Sequence, residues 1–595
     1  MEKQKLRSEI DNNFKWDLTL IYKDDKEFLD ELDRLKKESL NIKKYEDKFM
    51  LSADSLYEFL KYSCDLSMNL EKLYSYAHLK LDEDTTNTTY QTYYGLVCNL
   101  YSDYTDISSF VIPNMLKYDY SKIEEYININ PKLKEYEFYL KNIYRDKEHI
   151  LSDDVEKALS SLSKAFDNSD SVYEVLTDSD LTFETVDNKE LTQSNYISFL
   201  NSNDRNIRKE AFDKYYKEYK KFKNTISKCL SNFVDSNVSK AKLRKYNSAL
   251  DAALFDDNIK ESIYDNLINT VSENLNPLYR YYYIKRDLLK LDELHMYDVY
   301  TPVVSDSNKN YSFDEAKKIV LNALKPLGEE YIKDLNRAFD EKWIDIYNNK
   351  GKRSGAYSSG SYLTKPYLLL NYEGKLNDVS TLAHELGHSM HSYYTNKNNT
   401  YINSGYSIFV AEVASTVNEL LLNNYILNNS SSDEEKLSIL NNLIDLYKGT
   451  LFRQTMFAEF EKEIYSLSQN GEILTSELLS NKYYELNKKY FGDSVISDED
   501  IKYEWERIPH FYYNFYVYKY ATSICASTYI ALEILKGNTD VKDKYLKFLT
   551  LGNTMYPVDE LKTIGIDMED KKVIENTISY FNKLVNEFEK ISKKE

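Results

Sequence analysis

Thr381-Leu382-Ala383-His384-Glu385-Leu386-Gly387-His388-Ser389-Met390-His391 is the stretch from which the rest of the chain can be read. It contains the pattern H-E-x-x-H. On a helix, residues four apart share a face, so His384 and His388 can point at one metal ion. Two imidazoles at that spacing suit zinc. Glu385 lies one residue round the helix from His384, where it can reach a water at the metal; that is the place of a general base in a zinc hydrolase. With 7 His and 97 Asp+Glu in 595 residues, roughly 0.01 such matches are expected by chance, so an ordinary helix is a poor explanation of the pattern.

Two histidines leave zinc needing a third protein ligand and an open position. The pattern H-E-x-x-H-x-x-G-x-x-H would require Gly at 391 and His at 394. The chain has His391 and Tyr394, so His391 is expected to pack or to orient a neighbour. Glu412 is the better third ligand. It follows His388 at a distance that allows a turn and a return helix, expected over about Ile408–Leu427. Val410, Val413, Val417, Leu420 and Leu421 form that helix's apolar face; Glu412, Ser415, Thr416 and Glu419 form a polar stripe opposite. Glu419 is the rival ligand, favoured instead as a carboxylate bonded to a ligand histidine.

The composition fits a helical chain around this site. Only 8 Pro and 14 Gly in 595 residues favour long helices. A formal net charge of −20 argues against nucleic acid as a partner, because phosphate binding needs a basic face. Cys64, Cys98, Cys229 and Cys525 form neither a C-x-x-C pair nor a disulfide framework. The N-terminus leads into no apolar run, and no membrane span is read anywhere, so a soluble cytoplasmic protein is expected.

Read in order, residues 1–20 are expected to be irregular, with helices from Asp25 to about 175. Leu176–Glu190 is expected as a short strand or hairpin. A lobe boundary is placed near 195, giving an N-terminal helical lobe (1–195) and a catalytic domain (196–595). A long helix is expected over Asn203–Lys245, with a core-facing stripe including Phe212, Tyr215, Tyr219 and Ile226. Tyr297–Val304 reads as extended, and His295 before it as a packed histidine. Gly351–Gly360 reads as a flexible loop leading to a strand at Tyr367–Tyr372; an edge strand there could hydrogen-bond an extended peptide. Asn377 and Asp378 read as the cap of the metal helix, and Thr395–Asn403 as the loop after it.

Three motifs carry a family resemblance: H-E-L-G-H-S-M-H at 384–391, F-V-A-E-V-A-S-T-V-N-E at 409–419 and I-P-H-F-Y-Y-N-F-Y-V-Y-K-Y-A-T at 508–522. They resemble oligoendopeptidase F, of the thimet-oligopeptidase-like (M3) metallopeptidases, and the likeness runs from W-D-L at 16–18 to the C-terminal helices. The resemblance implies a mostly α, two-lobed, bowl-like fold with a small β-sheet beside the H-E-x-x-H helix. It also implies a deep channel that admits short peptides to one zinc ion per chain. It implies His384, His388 and Glu412 as metal ligands and Glu385 as catalytic base. His510 matches the family's transition-state histidine. Tyr513 and Tyr520 match its seven-apart Tyr pair if the loop is two residues shorter; the better-known branch has glycines there, and this chain has none between His510 and Tyr520. The expected activity is zinc-dependent hydrolysis of oligopeptides. An inactive peptide-binding protein and a structural zinc site are the competing readings; the intact Glu385 argues against the first and an open His₂Glu set against the second.

Overall fold

The computed structural model of the chain describes residues 4–166, 168–303 and 309–593. It is 72% helical, so a three-stranded sheet is a local insertion and not the frame of the fold. Two compact units emerge, each assembled from three chain segments: Met1–Glu148, Lys309–Tyr425 and Ile530–Gly565 in the first, His149–Asn308, Ile426–Tyr529 and Ile566–Glu595 in the second. Residue 195, where the sequence suggests a lobe boundary, falls within the second unit.

In the first unit, irregular 3-10 turns precede the helices Asp25–Ser39, Ala53–Glu83 and Thr88–Ser108. Asp24, Ser52 and Asn87 cap these three helices by accepting first-turn N–H groups. Their apolar faces meet in a core that includes Trp16, Phe28, Leu70, Leu73 and Tyr76 and takes in Tyr367 and Leu369 from the sheet. Strand β1 (Ile344–Asp345) pairs parallel with β3 (Tyr367–Leu369), which pairs antiparallel with β2 (Tyr357–Ser359). The order β1-β3-β2 puts β3, the strand expected over Tyr367–Tyr372 and at an edge, in the middle of the sheet and leaves β2 on an edge; β2 and β3 pack on the helix Leu376–Asn398 that carries the two histidines.

That histidine helix starts differently from the sequence reading. Lys375 is its N-cap, and Asp378 reaches back to accept from the N–H groups of Lys375 and Glu373. It also runs on to Asn398, into the first four residues of the stretch expected as loop, and Tyr401–Asn403 forms a 3-10 turn. Gly351–Gly360 is not simply a loop: it holds β2, and it is pinned by Arg353 on Asp82 at 2.6 Å and by Lys352 on Asp345 at 2.7 Å. The next helix, Ile408–Asn429, bears Glu412 and is called the carboxylate helix below.

In the second unit the helix Arg205–Leu243 is the spine, with Phe212, Tyr215, Tyr219 and Ile226 buried as expected. Asp298 is buried between Arg205 and Arg208. That ion pair and the cap at His295 hold Met296–Asp298 as a 3-10 turn, so the extended segment expected from Tyr297 does not form; Val304 lies outside the described residues. His295 is packed, stacked on Tyr297 and bonded to Asp498. Leu176–Glu190 holds a π-helical turn and a single antiparallel bridge, Val186 to Lys189, closed by Asp187 and Asn188 at positive φ.

The histidine and carboxylate helices touch backbone to backbone at Gly387. A Cβ there would stand 2.5 Å from Ser415 Cα and 2.7 Å from the Ala414 carbonyl. Asn418, fully buried, reinforces the crossing by donating to the Ala383 carbonyl at 3.1 Å and accepting from Tyr331 at 3.3 Å. Gly387→Ala should therefore force the helices apart and cost about 1–3 kcal/mol of stability. Denaturant unfolding of the variant checks this; an unfolding midpoint equal to the parent's would contradict the close crossing.

Candidate metal centre

His384 and His388 sit one turn apart with Nε2 atoms 3.2 Å from each other. Glu412 Oε2 lies 3.4 Å from His384 Nε2 and 3.6 Å from His388 Nε2. Among the described residues this is the group of three that could hold a metal ion. The three separations match the edges of a tetrahedron, about 3.3–3.4 Å for the ~2.0–2.1 Å bonds zinc makes to nitrogen and oxygen. Two imidazoles and a carboxylate therefore fit such an ion in both chemistry and spacing.

Each donor is held from behind. Glu419 Oε1 stands 3.1 Å from His384 Nδ1, leaving Nε2 to face the cluster. The His388 ring bonds the Ala411 carbonyl. The Ser415 hydroxyl donates to Glu412 Oε2 at 3.0 Å. Sequence reading anticipated Glu419 in this role and placed Ser415 in the same polar stripe. It missed Gly387, whose only local signal is a glycine inside a helical motif.

Electrostatics separates the two histidines. Burial disfavours a charged His384, but Glu419, then Glu412 and Glu385, override this and hold its pKa up at about 9. His388, buried and facing that charge, is pushed down. A metal binding here must displace the His384 proton, so its affinity falls as pH falls below that value. Glu385 is only 7% exposed. Burial lifts its carboxyl, the His384 charge opposes the lift, Glu412 and Glu419 add to it, and a hydrogen bond from the Ser358 backbone works against it; the result is about 7. Ser358 belongs to edge strand β2, and its hydroxyl bonds Ser389 at 2.8 Å, tying that strand to the histidine helix.

His391 lies outside the group. It is buried, stacks on Tyr406 at 3.9 Å, and is pushed by burial to a pKa of about 3. It packs as a neutral ring.

His510, Tyr513 and Tyr520 belong to the second unit. They do not share one helix. Asn514 and Phe515 adopt left-handed φ values of 49° and 58°, and the buried Glu461 carboxylate captures the Phe515 N–H at 2.6 Å. The helix then begins at Tyr518. The turn still gathers the rings: His510 lies 5.4 Å from Tyr513 and 6.2 Å from Tyr520, centroid to centroid. Tyr513 is 52% exposed, whereas Tyr512 stacks on Tyr173 and Tyr518 packs on Tyr264. Upstream, Glu504 anchors the segment by binding Arg453 at 2.7 Å and Arg507 at 2.9 Å.

The sequence profile of Peptidase family M3 matches residues 198–580, and one described as Oligopeptidase F matches residues 115–183. Oligopeptidase PepF of Bacillus subtilis (strain 168) is 42% identical, covering 98% of this chain and 88% of its own length. Group B oligopeptidase PepB of Streptococcus agalactiae is 40% identical over 98% of both chains. The crystal structure of oligoendopeptidase-F from Enterococcus faecium matches with a TM-score of 0.76 at 35% identity, over 96% of this chain and 100% of that one. A profile spanning more than half of the chain and full-length relatives at this identity lead to one conclusion: the chain belongs to peptidase family M3, as a metallopeptidase of the oligoendopeptidase F kind.

Proposed function

We propose that the protein is a zinc-dependent endopeptidase that hydrolyses internal bonds of short oligopeptides. The observation that carries this reading is the His384–His388–Glu412 triangle with Glu385 buried beside it. His384, His388 and Glu412 hold one ion, and Glu419 fixes the tautomer of His384. When bound, zinc supplies Lewis acidity to the peptide carbonyl and to water. Glu385 takes the proton of the attacking water and returns it to the leaving amine, two transfers that one carboxylate beside the metal group can make in turn. Edge strand β2, its Ser358 N–H already engaged by Glu385, is placed to take further main-chain contacts from an extended peptide, which would bind without its side chains being read. The names of the relatives favour oligopeptides as substrates. No helix among the described residues is long and apolar enough to cross a membrane, and all four cysteines are free thiols; a cytoplasmic setting fits both.

His510, Tyr520 and Tyr513 are proposed as donors to the negative charge that develops on the carbonyl oxygen. Their support is the motif match together with their clustering in the second unit.

Glu385→Gln should keep its metal and lose turnover by about 10²–10⁴-fold or more. A quenched-peptide assay alongside metal analysis checks this, and near-parental cleavage would remove Glu385 from the mechanism. Tyr520→Phe and Tyr513→Phe should each lower kcat by about 10²–10³-fold with KM nearly unmoved, since such donors act in the transition state. Full kcat in both folded variants would assign those rings to packing.

A further inference from the structure

A cavity of about 450 Å³ in the first unit lies alongside the histidine helix, within the size range of small-ligand pockets, about 300–1,000 Å³. Ser392 and Asn396 line it, and they continue the i+4 row that begins with His384 and His388. At 1.5 Å per residue they stand about 6 and 12 Å along the axis beyond His388. Gly360, Ser361 and Tyr362, the direct continuation of edge strand β2, line it too, with the Asn396 amide donating to the Ser361 carbonyl at 3.4 Å. The cavity therefore lies where a peptide extended along β2 would run on leaving the metal group.

Its lining has a single charge. Among the described residues that line it, Glu71 is ionisable as an acid and there is no Lys, Arg or His. Glu71 projects from the helix Ala53–Glu83 and accepts a short hydrogen bond from the Tyr401 hydroxyl. Burial raises its carboxyl and the Tyr401 bond lowers it; no cation contributes. The remaining walls are hydroxyls and amides, with Ser392 and Tyr406 bonded to each other at 2.8 Å. A half-buried carboxylate without a counter-charge, in a polar cavity large enough for a side chain, is suited to a guanidinium or ammonium group.

We propose that this cavity is a specificity subsite that takes a basic side chain, Arg or Lys, of the peptide substrate, with Glu71 as its charge partner. An extended peptide advances about 3.3 Å per residue. The 6–12 Å offset therefore places the recognised side chain two to four residues from the scissile bond. This subsite rests on the peptidase reading above and deepens it.

The test uses the zinc-loaded enzyme and a series of peptides, acetylated and amidated at their ends, cut at one bond fixed by mass spectrometry. A single Arg or its neutral isostere citrulline is placed at each position from four residues before that bond to four after it. The ratio of kcat/KM for Arg over citrulline is read at each position in the parent enzyme and in Glu71→Gln. A charge-assisted contact should give a ratio of about 10–100 at one or two positions, two to four residues from the bond. In Glu71→Gln that ratio should fall towards one. A ratio near one everywhere, an equal Arg preference at every position, or a ratio unchanged in Glu71→Gln overturns the subsite while cleavage itself upholds the peptidase reading. Failure to cut any peptide of the series overturns that reading and the subsite with it. The parent's own positional profile decides even if Glu71→Gln does not fold.

Discussion

The metal group depends on a helix crossing that only glycine permits. Gly387 lies inside the H-E-x-x-H turn itself, between the two histidines, and Ser415 Cα of the neighbouring helix occupies the space a side chain would need. Ser415 is also the residue whose hydroxyl steadies the Glu412 carboxylate. One contact thus sets the separation of the two helices and the reach of the third donor. Asn418 and Tyr331 extend the same contact into the buried interior, where each polar group finds a partner.

The crowding this produces has an electrostatic logic. Glu385, Glu412 and Glu419 all bear on His384, and Glu412 on His388 as well, in a poorly solvated space. Carboxylates so placed repel one another, and the single proton retained by His384 offsets only part of that repulsion. A divalent cation at the triangle would supply the missing positive charge, and it would also lower the pKa of any acid beside it. The same arrangement that is costly as bare charge is therefore receptive to a metal. Glu385 differs from its neighbours in standing outside the triangle and in being tied to β2 by a hydrogen bond from the Ser358 backbone.

Much of this was legible in the chain because it is local. His384 and His388 declare their shared face by spacing alone, and the polar stripe from Glu412 to Glu419 marks the returning helix at close to its observed start, Ile408. Long-range effects were not legible. Gly387 reads as a mild helix breaker until the partner helix is in place. Tyr297 reads as strand until Asp298 is seen between two arginines. Tyr513 and Tyr520 look like one helical face, yet the buried Glu461 bends the chain between them into a left-handed turn. The interleaving of each compact unit from three segments is likewise set by which distant helices pack together, and no composition shift in the sequence marks it.

The most direct test of the account is metal content after exhaustive dialysis of zinc-loaded parent, Glu412→Ala and Glu419→Ala proteins. If Glu412 completes the triangle and Glu419 only orients His384, the parent retains one ion and Glu412→Ala loses it. Glu419→Ala should still bind zinc, with affinity weakened by about 10–100-fold. Parental retention in Glu412→Ala, or equal losses in the two variants, would contradict it.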